Sequence, residues 1–194
     1  MKKQNFINVN IGDGKYTTLI MGQSPEGESY NKDGVGLPFY QGSKDFGELY
    51  PIPRVWCSNP RKIAIKGDII LGVRAPVGDT NLVVEKSAIG RGVAIVRCSN
   101  LIITDYVFFV LKAVKKILNK ESTGSVTKAI SKDDIKKIKF SFPESKINQK
   151  IIIDQFQKKN LIINDLEKEL IIFNNNISDL QSSILAKSFG IKIV

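Results

Sequence analysis

The chain has 194 residues, 42% hydrophobic and 25% charged, the balance of a folded globular protein, which excludes a mainly disordered or collagen-like chain. It holds no histidine, so Ser-His-Asp and Cys-His nucleophilic sites, histidine acid–base catalysis and histidine metal ligands are excluded. Lysine and arginine number 29 against 19 acidic residues, a net charge of +10, and a field of that sign attracts polyanions.

The opening Met1-Lys2-Lys3-Gln4-Asn5-Phe6 carries no long apolar stretch and no cleavage site, and no later run approaches the ~18 apolar residues of a membrane span. The expected compartment is therefore the cytoplasm. Cys57 and Cys98 cannot supply a four-ligand zinc site and are expected as buried free thiols rather than a disulfide.

Residues 1–100 carry short runs rich in Val, Ile and Leu: Tyr16–Met21, Lys62–Ile65, Asp68–Val73, Asn81–Val84 and Gly92–Val96. Gly, Pro, Asp and Asn punctuate them, which predicts a compact β-rich unit. Over Asp105–Lys120 the apolar residues Val107, Phe108, Leu111, Val114, Ile117 and Leu118 fall at helical spacing. A turn at Gly124-Ser125-Val126-Thr127 follows, then a short capped helix after Ser131 and a strand at Phe140–Pro143.

From Asn148 to about Ser188 there is neither Pro nor Gly, and the apolar positions Phe156, Ile163, Leu166, Leu170, Phe173, Ile177, Leu180 and Ile184 predict one long helix. From Ile163 the steps alternate 3 and 4, an a/d heptad seam. Roughly 40 residues at ~1.5 Å each make a rod of ~60 Å. An isolated helix of this kind is marginal in water, so its seam is expected to meet a helix of another chain. Ile162, Ile171, Ile172 and Leu185 widen the stripe enough for a further protein contact. The fold class expected is α/β (α+β), with a β-rich domain over 1–148 and a coiled-coil-like helix over 149–190. The charge divides at the same point, +9 over residues 1–148 and +1 over 149–194. A basic first domain suits DNA or RNA, and equally suits lysines that only solvate a surface.

Motif by motif, catalysis finds little support. Gly22-Gln23-Ser24-Pro25-Glu26-Gly27-Glu28-Ser29 has the glycine spacing of a phosphate loop, but Glu28 stands where the phosphate-binding lysine is needed. Asn59-Pro60-Arg61-Lys62 lacks the second proline and the aromatic residue of an adenine-methyltransferase motif. Asp133-Asp134 suit a helix N-terminus better than a metal cluster. Two arginines stand on Gly/Pro-stiffened loops, Arg74 in Val73–Asp79 and Arg91 in Ile89–Gly92. Each could contact a phosphate or a guanine edge, or staple its loop through a carboxylate such as Asp68 or Asp79.

The stretch Gly22-Gln-Ser-Pro-x-Gly-x-Ser-Tyr-Asn-x-x-Gly-x-Gly-x-Pro-Phe-x-Gln-Gly42 resembles the target recognition domain of type I restriction–modification specificity subunits. The likeness continues, in order, through Asp45-Phe46-Gly47, Gly67–Leu71, Arg74–Gly78, Ile89–Gly92, Gly124-Ser125-x-x-Lys128-x-Ile130, Phe142-Pro143 and Ile184–Gly190. The resemblance implies a DNA target recognition domain followed by a spacer helix, with no catalysis of its own. It implies methyltransferase and restriction subunits as partners, which would hold S-adenosylmethionine, ATP and Mg, with no cofactor on this chain. Full-length members carry two such domains and two helices, so one of each looks like a half-subunit that completes itself as a homodimer or with a different half. Candidate DNA contacts are Gln23, Ser24, Tyr30, Asn31, Gln41, Lys44, Arg54, Arg74, Arg91 and Lys128. A standalone DNA-binding regulator or anti-restriction decoy is the alternative use of the same domain.

Overall fold

The run Ile69-Ile70-Leu71-Gly72 is fully buried, and a strand that reads as continuous rather than alternating apolar sequence is one covered on both faces. The computed structural model describes residues 5–122 and 129–190, and the side chains of all of these except 116–122. The Gly124–Thr127 turn and Lys128 lie outside the described residues. Two compact units are present, Met1–Lys150 and Ile151–Val194.

In the first unit the strands are β1 Phe6–Asn10, β2 Thr17–Met21, β3 Tyr30–Asn31, β4 Leu37–Tyr40, β5 Trp56–Cys57, β6 Ile63–Ala64, β7 Ile69–Gly72, β8 Thr80–Leu82, β9 Ser87–Ile89 and β10 Val93–Cys98. Helices α1 (Thr104–Ser122) and α2 (Lys132–Lys136), strand β11 (Lys139–Pro143) and the start of α3 (Lys146–Ser188) follow. A four-stranded sheet, β2-β10-β7-β8, is antiparallel throughout. A five-stranded sheet runs β3-β5-β4-β9-β6, with β4 and β9 parallel, and β1 pairs with β11 in a separate ribbon.

The four-stranded sheet is the middle layer. Because side chains alternate across a strand, Ile69, Leu71, Ala94 and Val96 enter one cluster with Val107, Phe108 and Leu111 of α1 and Phe142 of β11. Ile70, Val93 and Ile95 enter the opposite cluster with Tyr40, Ala64, Val83 and Ile89 from around the five-stranded sheet. Gln149 is fully buried at the start of α3, accepting from the Ile103 N–H at 2.8 Å and donating to the Pro143 carbonyl at 2.9 Å.

The expected β-rich fold with a long C-terminal helix is present. Every expected strand run is a strand within a residue or two, and the expected long helix begins two residues earlier, at Lys146. Five further strands, β1, β3, β4, β5 and β9, carry no clear sequence pattern. Two have only two residues, and β4 contains a proline. Pro38 is tolerated because pairing with β9 begins only at Phe39.

Ser131 caps α2 in a reciprocal box, its hydroxyl accepting from the Asp134 N–H at 3.2 Å while Asp134 accepts from the Ser131 N–H at 3.1 Å. The Ser131 hydroxyl, then Lys137, holds the Asp134 carboxyl well below the usual range, at about 2. A carboxyl depressed on folding stabilises the fold above its ordinary pKa near 4 and loses that contribution as pH falls through about 2. Ser131→Ala should therefore be less stable than wild type at pH 6, with the gap closing between pH 4 and pH 2, as read by urea unfolding at each pH.

Ile95 is completely buried in the cluster between the two sheets. Ile95→Ala should cost about 2–5 kcal/mol, seen as a lowered urea midpoint with an unchanged slope.

Candidate nucleic-acid interface

Four chain segments meet at one rim of the first unit, joined through backbone. The Gly22 N–H donates to the Val93 carbonyl at 2.9 Å and the Gln23 N–H to the Ile89 carbonyl at 3.0 Å, so the chain leaving β2 runs beside the turn between β9 and β10. That turn closes on itself, Val93 N–H to Gly90 carbonyl at 3.1 Å. The Gly90 N–H reaches the Tyr40 carbonyl at 2.8 Å, and the Val73 N–H reaches the Gly92 carbonyl at 2.9 Å, which brings in the ends of β4 and β7. The Ser43 hydroxyl donates to the Pro76 carbonyl at 2.9 Å. The Ile130 N–H donates to the Val73 carbonyl at 3.0 Å, beside a backbone bridge between Arg74 and Ala129.

Such close approach dictates residue type. A Cβ on Gly22 would lie 2.2 Å from the Gly90 carbonyl oxygen, and one on Gly92 would lie 2.0 Å from that of Gln41. Asp45 completes the rim from below. It is buried, and its carboxylate accepts the Gln41 N–H at 2.8 Å, closing the loop that carries Lys44.

Gln23, Ser24, Gln41, Lys44, Arg74 and Arg91 thus stand on segments that the fold brings to one rim. Arg54 follows Pro53 in the segment that leads into β5. The Phe39 N–H donates to the Val55 carbonyl at 2.8 Å, and continuing that register sets Arg54 against Tyr40, one residue from Gln41. Tyr30 and Asn31 are engaged internally. The Tyr30 hydroxyl donates to the Pro25 carbonyl at 2.9 Å and its ring packs on Phe39. The Asn31 amide donates to the Val35 carbonyl at 2.8 Å and accepts from the N–H groups of Asp33 and Val35.

The two carboxylates named as staples for the loop arginines serve other cations. Asp68 is buried and accepts two bonds from Arg97, at 2.8 and 2.7 Å, while Asp79 pairs with Lys115. Arg61 pairs with Glu26. Among the described residues Arg54, Arg74 and Arg91 have no carboxylate partner, and all three are exposed.

No group of three or more His, Cys, Asp or Glu side chains able to hold a metal occurs among the described residues. Both cysteines are free. Cys57 is buried as expected, whereas Cys98 is only partly so. Burial pushes the Cys98 thiol up to about 12, against an opposing hydrogen bond from Thr104, which keeps it protonated near neutral pH. Residues 22–29 form no nucleotide loop, because a three-residue 3-10 turn, Gly27–Ser29, stands where a phosphate-binding helix would begin. Sequence reasoning met Asp45 only inside the Asp45-Phe46-Gly47 motif and missed Ser43 and Gln149, whose only signal is a polar residue beside Gly or an apolar run.

In the second unit the seam positions Phe156, Ile163, Leu166, Leu170, Phe173, Ile177, Leu180 and Ile184 are 39 to 61% exposed. No described helix is long and apolar enough to cross a membrane.

Fold and rim together define a β-rich domain followed in the chain by a long helix. Comparison with known proteins agrees. The family model for the type I restriction modification DNA specificity domain matches residues 56–171. A putative type I restriction enzyme MjaX specificity subunit of Methanocaldococcus jannaschii is 42% identical over 136 residues, 70% of this chain and 32% of that protein. Among solved structures, a chain from work on complex assembly and conformational transition of the type I R-M system is 33% identical with a TM-score of 0.80, over 97% of this chain and 46% of that one. The HsdS subunit from Thermoanaerobacter tengcongensis is 33% identical with a TM-score of 0.74, over 87% and 40%. The chain belongs to the type I restriction–modification DNA specificity family, and it spans less than half the length of these relatives.

Gly92→Ala should break the rim, at a cost of about 1–3 kcal/mol. Gly27→Ala, where an added Cβ meets nothing within 4 Å, should change stability by less than about 0.5 kcal/mol. Urea midpoints of the two variants check the contrast.

Proposed function

We propose that this chain is a non-catalytic specificity unit that reads one half of a bipartite DNA target and directs methyltransferase and restriction subunits to it. The observation that carries the reading is the rim itself. Two loop arginines that have no carboxylate partner among the described residues, Arg74 and Arg91, share it with Gln23, Ser24, Gln41 and Lys44. Lys and Arg neutralise phosphates, and an arginine fork or a side-chain amide reads base edges in the major groove. Methylation and cleavage belong to the partner subunits in this reading, along with S-adenosylmethionine, ATP and Mg, in the cytoplasm where the DNA is.

The seam of α3 seats a second helix. On our reading the occupant is a second copy packed antiparallel, because seven consecutive a/d positions from Ile163 to Ile184 are apolar and a symmetric pair satisfies both seams at once. Two-fold symmetry makes the target an inverted repeat whose unread gap is set by the helix. One heptad added or removed changes the helix by ~10 Å, about three base pairs.

Binding of the full chain to inverted-repeat duplexes, with the gap varied one base pair at a time, tests the reading. One gap length should dominate, and a heptad insertion within Ile163–Ile184 should move that optimum by about three base pairs. Leu170→Asp with Phe173→Asp should give a folded monomer by light scattering. Indifference to the gap overturns the ruler, and preference for an asymmetric site means that a different half occupies the seam. Specific binding with no co-purifying methyltransferase chain would favour the standalone regulator or decoy.

A further inference from the structure

Arg91 differs from Arg54 and Arg74 in how its head group is held. Its Nε–H donates to the Ser24 hydroxyl oxygen at 3.2 Å, and its backbone N–H points at the same oxygen at 3.4 Å. The residue stands at the tip of the turn closed by the Val93 N–H and the Gly90 carbonyl. Gly90 and Gly92 on either side are tied to the ends of β4 and β7, and Gln23, next to Ser24, is tied to Ile89. Both ends of the Ser24–Arg91 contact are therefore mounted on fixed backbone.

A guanidinium is planar, with five N–H donors. With the Nε edge held by Ser24, the terminal Nη1–Nη2 pair remains and has no protein acceptor among the described residues. That pair is two coplanar donors facing one way, and its complement is two acceptors in one plane. Guanine presents such a pair, O6 and N7, in the major groove. A phosphate also accepts two donors from an arginine fork, and the test below separates the two acceptors. A bond to Nε fixes the plane's orientation, and orientation matters for planar, end-on pairing with a base.

We infer that Arg91 is a specificity-determining residue that reads one guanine of the target through its Nη1–Nη2 edge, and that Ser24 is a positioning residue that orients it without touching the base. This rests on the DNA-reading function proposed above. It separates the two residues, since Ser24 then acts through Arg91.

The test begins with selection of duplexes from a randomised pool by the wild-type full chain. Each guanine of the selected site is then replaced singly by 7-deazaguanine, which removes the N7 acceptor and leaves base pairing and phosphate charge intact. Wild type should lose about tenfold or more in affinity at one guanine. Arg91→Ala should bind the unmodified site more weakly and show no further loss at that guanine, while retaining wild-type sensitivity at the others. Ser24→Ala should shrink the loss at that same guanine to a fewfold, and Ser24→Thr, which keeps the hydroxyl, should restore it. Arg91→Ala lies at an exposed tip and carries the test if Ser24→Ala fails to fold. Uniform weakening by Arg91→Ala with every deaza loss unchanged would make Arg91 a phosphate contact and overturn the inference. Full discrimination in a folded Ser24→Ala would remove the positioning role. If the wild type selects no duplex, the DNA-reading function itself falls, and this inference with it.

Discussion

The turn from Gly90 to Val93 is where the first unit is joined. The ends of β2, β4 and β7 are held to it by backbone bonds, and at two points the neighbouring chains come closer than a side chain allows. Gly22 and Gly92 are the two points of closest approach, where an added Cβ would meet a carbonyl oxygen at 2.2 and 2.0 Å. Backbone bonds of this kind fix position more stiffly than side-chain contacts, since no rotamer freedom remains in them. Short polar groups mounted on that frame are then held at defined spacing, which a surface that discriminates among targets requires. The two hydrophobic clusters on either face of the four-stranded sheet keep the frame flat against its neighbours.

Sequence made the long elements visible and left the short ones dark. The buried strands β7 and β10, the helix α1 and the helix α3 each carry a continuous or periodic apolar pattern that follows from which faces are covered. Strands β3 and β5 have two residues each and are defined by what they pair with, so nothing local marks them. The same distinction runs through the rim. Arg74 and Arg91 stood out because Gly and Pro stiffen their loops, but Ser43 acts on the Pro76 carbonyl, 33 residues away and reached only through the fold. Tyr30 and Asn31 look like surface readers in sequence, and the structure closes their polar groups onto the loop they stand on.

In α3 the relation between pattern and stability is different. The helix has 43 residues, and the larger part of it lies in a unit whose described apolar seam is open. Propensity and i,i+3 pairs such as Lys168 with Asp165 add only a few tenths of a kcal/mol each, so such a helix gains most of its stability from whatever covers the seam. On the function proposed here, order in the helix and occupancy of the seam are then one equilibrium. Any partner that binds the seam stabilises the helix by mass action.

Several acidic residues of the first unit are engaged by the fold itself. Asp13 accepts from the Tyr16 and Thr17 N–H groups, Asp45 from Gln41, Asp68 from Arg97 and Ile65, and Asp134 caps α2. A carboxylate that satisfies backbone N–H groups or a partly buried guanidinium is fixed by the fold and cannot be lent to another cation without leaving those donors empty, a loss of about 1–3 kcal/mol for each. Asp68 shows the consequence. It is almost fully buried and its two oxygens are committed to Arg97 on β10, so among the described residues Arg74, on the loop after β7, has no carboxylate partner. Net charge alone is met equally well by a coat of solvating lysines. On the function proposed here, Asp45 and Asp68 work on the fold while the exposed arginines of the rim are left to meet an outside anion.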